Sequence, residues 1–177
     1  MNHRKQDPVG IDGPIDTIQR IVYGPLSKLW GEIEMYGRVY KKAEKDGISL
    51  ERYIGDGEYE KVLFNEGNKV FFVQGKKPEM EDARFSNDLY IVSIVDIERI
   101  SGTQHRADEE VHLDMVSELS KVIEPDNILG LEYGMDNLKR VVEDVFEFGN
   151  FKYSDIQPYH VFMVRCKVSY SLIKNEC

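Results

Sequence analysis

SDIQPYHVFMVRCKVSY, Ser154 to Tyr170, is the stretch whose reading decides the fold class. One set of alternate positions reads His160, Phe162, Val164, Cys166, Val168, Tyr170. The other reads Val161, Met163, Arg165, Lys167. Successive side chains of a strand point to opposite faces, so this period of two predicts a long strand. A second run, LYIVSIVDI from Leu89 to Ile97, is apolar at both parities. That pattern predicts a central strand covered on two sides.

Working outward, Met1 to Gly13 lacks periodicity and predicts a flexible N-terminal arm, residues 1–13. A single domain is expected over 14–173, with a tail at 174–177. From Pro14, which suits a helix start, Ile15, Ile18, Ile21 and Val22 recur on one helical face. Gly24-Pro25 is expected to stop or kink that helix, with Leu26, Leu29 and Trp30 continuing it. Met35 to Lys42 predicts a short strand, and Ala43 to Gly57 carries no strong pattern. Tyr59–Phe64 and Lys69–Val73 flank Asn65-Glu-Gly-Asn68, which predicts a hairpin. Gln74 to Asn87 is polar and aperiodic, a long loop or an excursion beyond the sheet.

Two helices follow. Asp108 to Ile123 carries Val111, Met115, Leu119 and Val122 at helical spacing, with acids in its first turn, and Pro125 ends it. The second opens near Asp136 and carries Leu138, Val141, Val142, Val145 and Phe146, closing at Gly149-Asn150. The expected class is α+β: a mostly antiparallel sheet with helices packed on one side.

The chain has 177 residues, 41% hydrophobic and 31% charged, which suits a globular protein able to bury a core. No apolar run approaches a membrane span, and no secretory signal is expected from MNHRKQDP. With only Cys166 and Cys177, a disulfide framework is not expected, and a reducing compartment is. The net charge of −9 argues against a protein that grips nucleic acid through phosphates. Arg106 to Glu147 holds twelve acids and four bases, nearly all of that imbalance. It reads either as solvated helix faces or as an acidic surface that repels a passing polyanion.

No P-loop, dinucleotide fingerprint, Cys-x-x-Cys or His-Glu-x-x-His occurs. His105, Asp108, His112 and Asp114 are the densest group of potential ligands, but one carboxylate and one imidazole at i, i+4 do not make a metal site. They read as an acid-rich helix N-terminus. His160 reads as a hydrogen-bonded boundary residue and Cys166 as a small core hydrophobe. Six residues along one strand hold these two about 20 Å apart, too far for a dyad. No catalytic, cofactor-binding or metal-binding residue is therefore expected. Aromatics crowd the first half, several beside charges, as anchors of a protein interface do.

The layout resembles tail-completion and tail-terminator proteins of tailed bacteriophages. The resemblance lies in the opening helix IDTIQRIVYGPLSKLW, Ile15 to Trp30, the sheet with a polar excursion at Gln74–Asn87, and Asp155-Ile-Gln-Pro-Tyr-His-Val-Phe162 leading into a long strand. It implies a non-enzymatic virion protein, made in the host cytoplasm, forming a hexameric or dodecameric ring in the head-to-tail neck. Its partners would be copies of itself and neighbouring connector-side and tail-side proteins, with DNA passing through the lumen unbound. Long strands present edges, and the final strand is expected to serve as scaffold and interface. Three other readings stand beside it. One is another ring or adaptor protein of the virion. A second is a small enzyme using distant acids such as Asp96, Glu98, Asp108 and Glu110. A third is a monomeric regulatory adaptor that binds a host protein through the acidic helices.

Overall fold

The computed structural model describes residues 1–44, 47–62, 67–81, 84–104, 107–142 and 158–171. In chain order the elements are β1 (Asn2–His3), α1 (Asp12–Trp30), β2 (Ile33–Glu44), β3 (Gly47–Gly55), β4 (Glu58–Lys61), β5 (Asn68–Gln74) and β6 (Glu79–Glu81). Then come β7 (Arg84–Asp96), α2 (Ile97–Gln104), α3 (Asp108–Leu119), a 3-10 turn (Pro125–Asn127), β8 (Ile128–Tyr133), α4 (Met135–Val142) and β9 (Tyr159–Tyr170). The strands form one sheet in the order β4-β3-β2-β5-β7-β9-β8, with β1 beside β2 and β6 beside β7. Among the described residues only β1–β2 and β2–β5 run parallel. The class is α+β with a mostly antiparallel sheet, as expected.

The long terminal strand forms as its alternation requires. β9 pairs with β7 residue for residue, from Phe85↔Tyr170 to Asp96↔Tyr159. Its even positions, Phe162, Val164, Cys166 and Val168, face one core with Ile15, Ile18, Val22, Leu26 and Trp30 of α1 and Val111, Met115 and Leu119 of α3. Its odd positions Val161 and Met163 face a second core with Phe71, Val92, Ile94, Leu138 and Val141. α4 therefore lies on the sheet face opposite α1 and α3, which corrects the expectation of helices on one side. β5 and β7 are apolar at both parities because both faces of the central sheet are covered. Of the stripe expected on the last helix, Leu138 and Val141 are buried, while 145 and 146 lie outside the described residues.

The expected hairpin of Tyr59–Phe64 with Lys69–Val73 does not form. β4 pairs antiparallel with β3, whereas β5 sits between β2 and β7. The reason is burial: β4 is exposed along its whole length and β5 is buried from Asn68 to Val73. A strand with two apolar faces belongs inside the sheet, and a polar one belongs at its margin. β2 is also longer than expected, and the weakly patterned Ala43–Gly57 supplies β3. The Gln74–Asn87 excursion is a short hairpin, with Glu79–Glu81 folded onto Arg84–Ser86.

α1 runs through Pro25 without ending there. Leu26 and Trp30, 0% and 2% exposed, anchor the last turns. The helix ends at Gly31, whose φ of 76° and ψ of −137° suit a residue without Cβ. The segment expected as a flexible arm is docked. Asn2 and His3 pair with Met35 and Tyr36, and the terminal amine donates to the Ile33 carbonyl. Arg4 reaches Asp16 and Lys5 reaches Asp12, two acids buried in the first turns of α1. The ion pairs add to the strand pairing and to Ile11, which is buried in the core at 3% exposure.

Candidate functional site

The acids that could carry chemistry are dispersed. Asp108 is exposed at the start of α3, and its carboxylate accepts from the Glu109 amide at 3.0 Å. Glu110 accepts from the Ala107 amide at 3.0 Å, closing the helix start. Asp96 accepts from the Arg99 amide at 3.0 Å where β7 passes into α2, and Glu98 is exposed there. These acids serve as helix-start groups. Asp114 accepts a 2.9 Å bond from the Trp30 indole. His105 lies outside the described residues. Among the described residues no three His, Cys, Asp or Glu side chains stand close enough to hold a metal ion. Cys166 is fully buried, and burial pushes its thiol up to about 12. An unionised, inaccessible thiol is a packing group.

His112 and His160 do meet. α3 presents His112 inward, 4% exposed, and its Nε2 lies 2.6 Å from Nε2 of His160 on β9. Tyr133, at the end of β8, packs against the His112 ring with centroids 4.7 Å apart, and Phe162 lies edge-on at the same separation. Burial, and then the neighbouring His160, lower the His112 pKa to about 4. The imidazole is neutral at pH 7, so one Nε2–H donates to the other ring's lone pair. The pair joins α3, β8 and β9 and is a structural clasp in this setting. His160 is thus a hydrogen-bonded boundary residue, as read from its strand. Its partner is 48 positions away, and no local pattern points to it.

The functionally suggestive geometry is at the margins of the sheet. Among the described residues β4 and β8 are its two outer strands. β8 was not apparent in the sequence, because Ile128-Leu-Gly-Leu-Glu-Tyr133 is short, holds a glycine and alternates weakly. Tyr59 is 51% exposed on β4, and Leu129 and Tyr133 are 45% and 47% exposed on β8. Leu113, on the exposed side of α3, is 66% exposed. The final strand, expected as scaffold and interface, is flanked on both sides. β7 covers one side of it, and β8 covers the other from Phe162 to Cys166. A strand that long and that apolar on both faces stabilises the sheet best from inside it.

Compared with protein-family models, curated proteins and solved structures, the chain has no match. Among the described residues no helix is long and apolar enough to cross a membrane.

Proposed function

We propose that this chain is a structural protein that assembles with copies of itself through its two outer strands, as a ring in the head-to-tail neck of a tailed bacteriophage. The observation that carries the assembly is the pair of strands at opposite ends of one sheet, β4 with Tyr59 exposed and β8 with Leu129 and Tyr133 exposed. Outer strands offer unpaired backbone groups to another chain. The two edges differ, so a contact between them is heterologous and propagates to a ring or a filament.

Strand direction is compatible with such a contact. Following the pairings from β4 to β8, the two outer strands run in opposite directions. Rotation about an axis along the strands leaves direction unchanged from copy to copy. Such a ring sets β8 of one copy antiparallel to β4 of the next, the slightly more stable pairing. The neck assignment rests on the resemblance in layout. It agrees with an acidic chain whose exposed acids Asp108, Glu109, Glu110, Glu124 and Asp126 suit a surface that DNA passes without sticking. The role is a scaffold, with tail-terminator or tail-completion position, and without turnover.

Light scattering after size exclusion, together with electron microscopy of the purified chain, tests this. A defined oligomer of ring form is expected. A monomer at every concentration, or a closed two-fold dimer, contradicts it. Immunogold labelling of a virion at a site other than the neck contradicts the placement and leaves the assembly intact.

A further inference from the structure

We propose that the cavity between segment 75–77, β7 and α4 is a binding site for a small organic oxyanion, a phosphate ester or a polycarboxylate. The cavity has an open volume of about 350 Å3 and lies where β5 ends, on the sheet face that α4 covers. That volume falls within the roughly 300–1,000 Å3 typical of small-molecule sites and exceeds what a bare oxyanion fills.

The walls are cationic in a chain whose net charge is −9. Lys76, Lys77 and Arg140 border the cavity. Asp88 is the carboxylate in the wall, and Arg165 already holds one of its oxygens at 2.7 Å and 3.1 Å. Arg140 also reaches Glu132 and keeps further guanidinium donors in its fork. Concave surfaces lined by one sign of charge concentrate ions of the other sign. Tyr90 and Val141 supply an apolar wall, which suits an organic body behind the anionic group.

Asn87 borders the cavity at 2% exposure. Beside it, a Cβ at Gly75 would stand 2.9 Å from Asn87 Oδ1 and 3.0 Å from the Asp88 carbonyl. Glycine lets the backbone of segment 75–77 close onto β7, where the Gly75 amide donates to that same carbonyl at 2.8 Å.

Calorimetric titration of the full chain with adenosine monophosphate and with citrate tests the site and separates phosphate from carboxylate recognition. Saturable binding of either is expected, weakened about tenfold or more by Lys77→Glu and by Arg140→Glu. Lys77→Glu keeps the test valid if Arg140→Glu disturbs α4 through Glu132. Circular dichroism of the unliganded variants should be unchanged. No saturable heat with either probe overturns the proposal, as does equal binding by wild type and Lys77→Glu. Binding confined to a DNA duplex and abolished by salt also overturns it, because the surface would then recognise a polymer backbone.

Discussion

Nε2 of His112 lies 2.6 Å from Nε2 of His160, across the junction of α3 and β9. Two imidazoles can share one proton in that arrangement but cannot both carry two. Glu109 stands 4.0 Å from the other nitrogen of His112, and Asp108 favours protonation. Burial and His160 oppose it more strongly.

Stability should therefore depend on pH through this pair. The folded-state pKa of His112 is about 4, below the ordinary 6.5, so the unfolded chain binds more protons between those values. The contribution is fully present above about pH 6.5 and is lost as pH falls toward 4. Its ceiling is about 3 kcal/mol. Denaturant unfolding across this range should show the loss, and His112→Phe should flatten it. An unchanged slope in that variant would assign the pH dependence elsewhere.

Asn68 is fully buried and joins three elements. Its amide donates to the Trp30 carbonyl at 2.8 Å and accepts from the Asp96 amide at 2.9 Å. Asn68→Ala leaves both backbone groups without these bonds and should cost about 2–4 kcal/mol in chemical denaturation. A loss below about 1 kcal/mol would mean that water replaces the side chain.

The arm separates buried from exposed ion pairing. Asp12 is 4% exposed and is held by Lys5 and by Arg38, whose guanidinium lies 2.9 Å away. Asp12→Ala leaves two poorly hydrated cations and should cost about 3 kcal/mol. The side chains that face Asp16, Arg4 and Arg20, are 44% and 56% exposed, so removing either cation should cost much less. Thermal unfolding of Asp12→Ala, Arg4→Ala and Arg20→Ala reads the contrast directly, and equal losses would refute it.

The outer-strand contact makes its own demand. Leu129 is half exposed on β8. Leu129→Lys places a charge on that edge and should shift the oligomer to monomer while leaving circular dichroism unchanged. An oligomer of unaltered mass would move the interface away from β8.

Cys166 gives a check on the core. In a Cys177→Ser background, a thiol reagent should label Cys166 no faster than the chain unfolds, because the thiol is buried and held un-ionised. Rapid labelling in native buffer would place β9 elsewhere.

Residues with strong local periodicity are readable in the sequence. The alternation of His160 to Tyr170, the stripe of α1 and that of α3 each reflect one side of one element meeting one core. α2 and β8 were not legible. Ile97–Gln104 continues an apolar strand pattern without a break, and Ile128–Tyr133 is too short to establish a period. The His112–His160 clasp and the cavity beside Asn87 assemble from positions far apart in the chain, and neither has a local signal.

The sequence by itself determined which segments are helix or strand where a period of 3.6 or two is sustained, and it determined the α+β class. Tertiary structure decided which strands are neighbours. β5 leaves β4 and inserts between β2 and β7, because only there are Val70 and Phe72 on one face and Phe71 and Val73 on the other both covered. Periodicity records the faces an element buries. Partner choice depends on the burial of all faces at once, a property of the whole sheet.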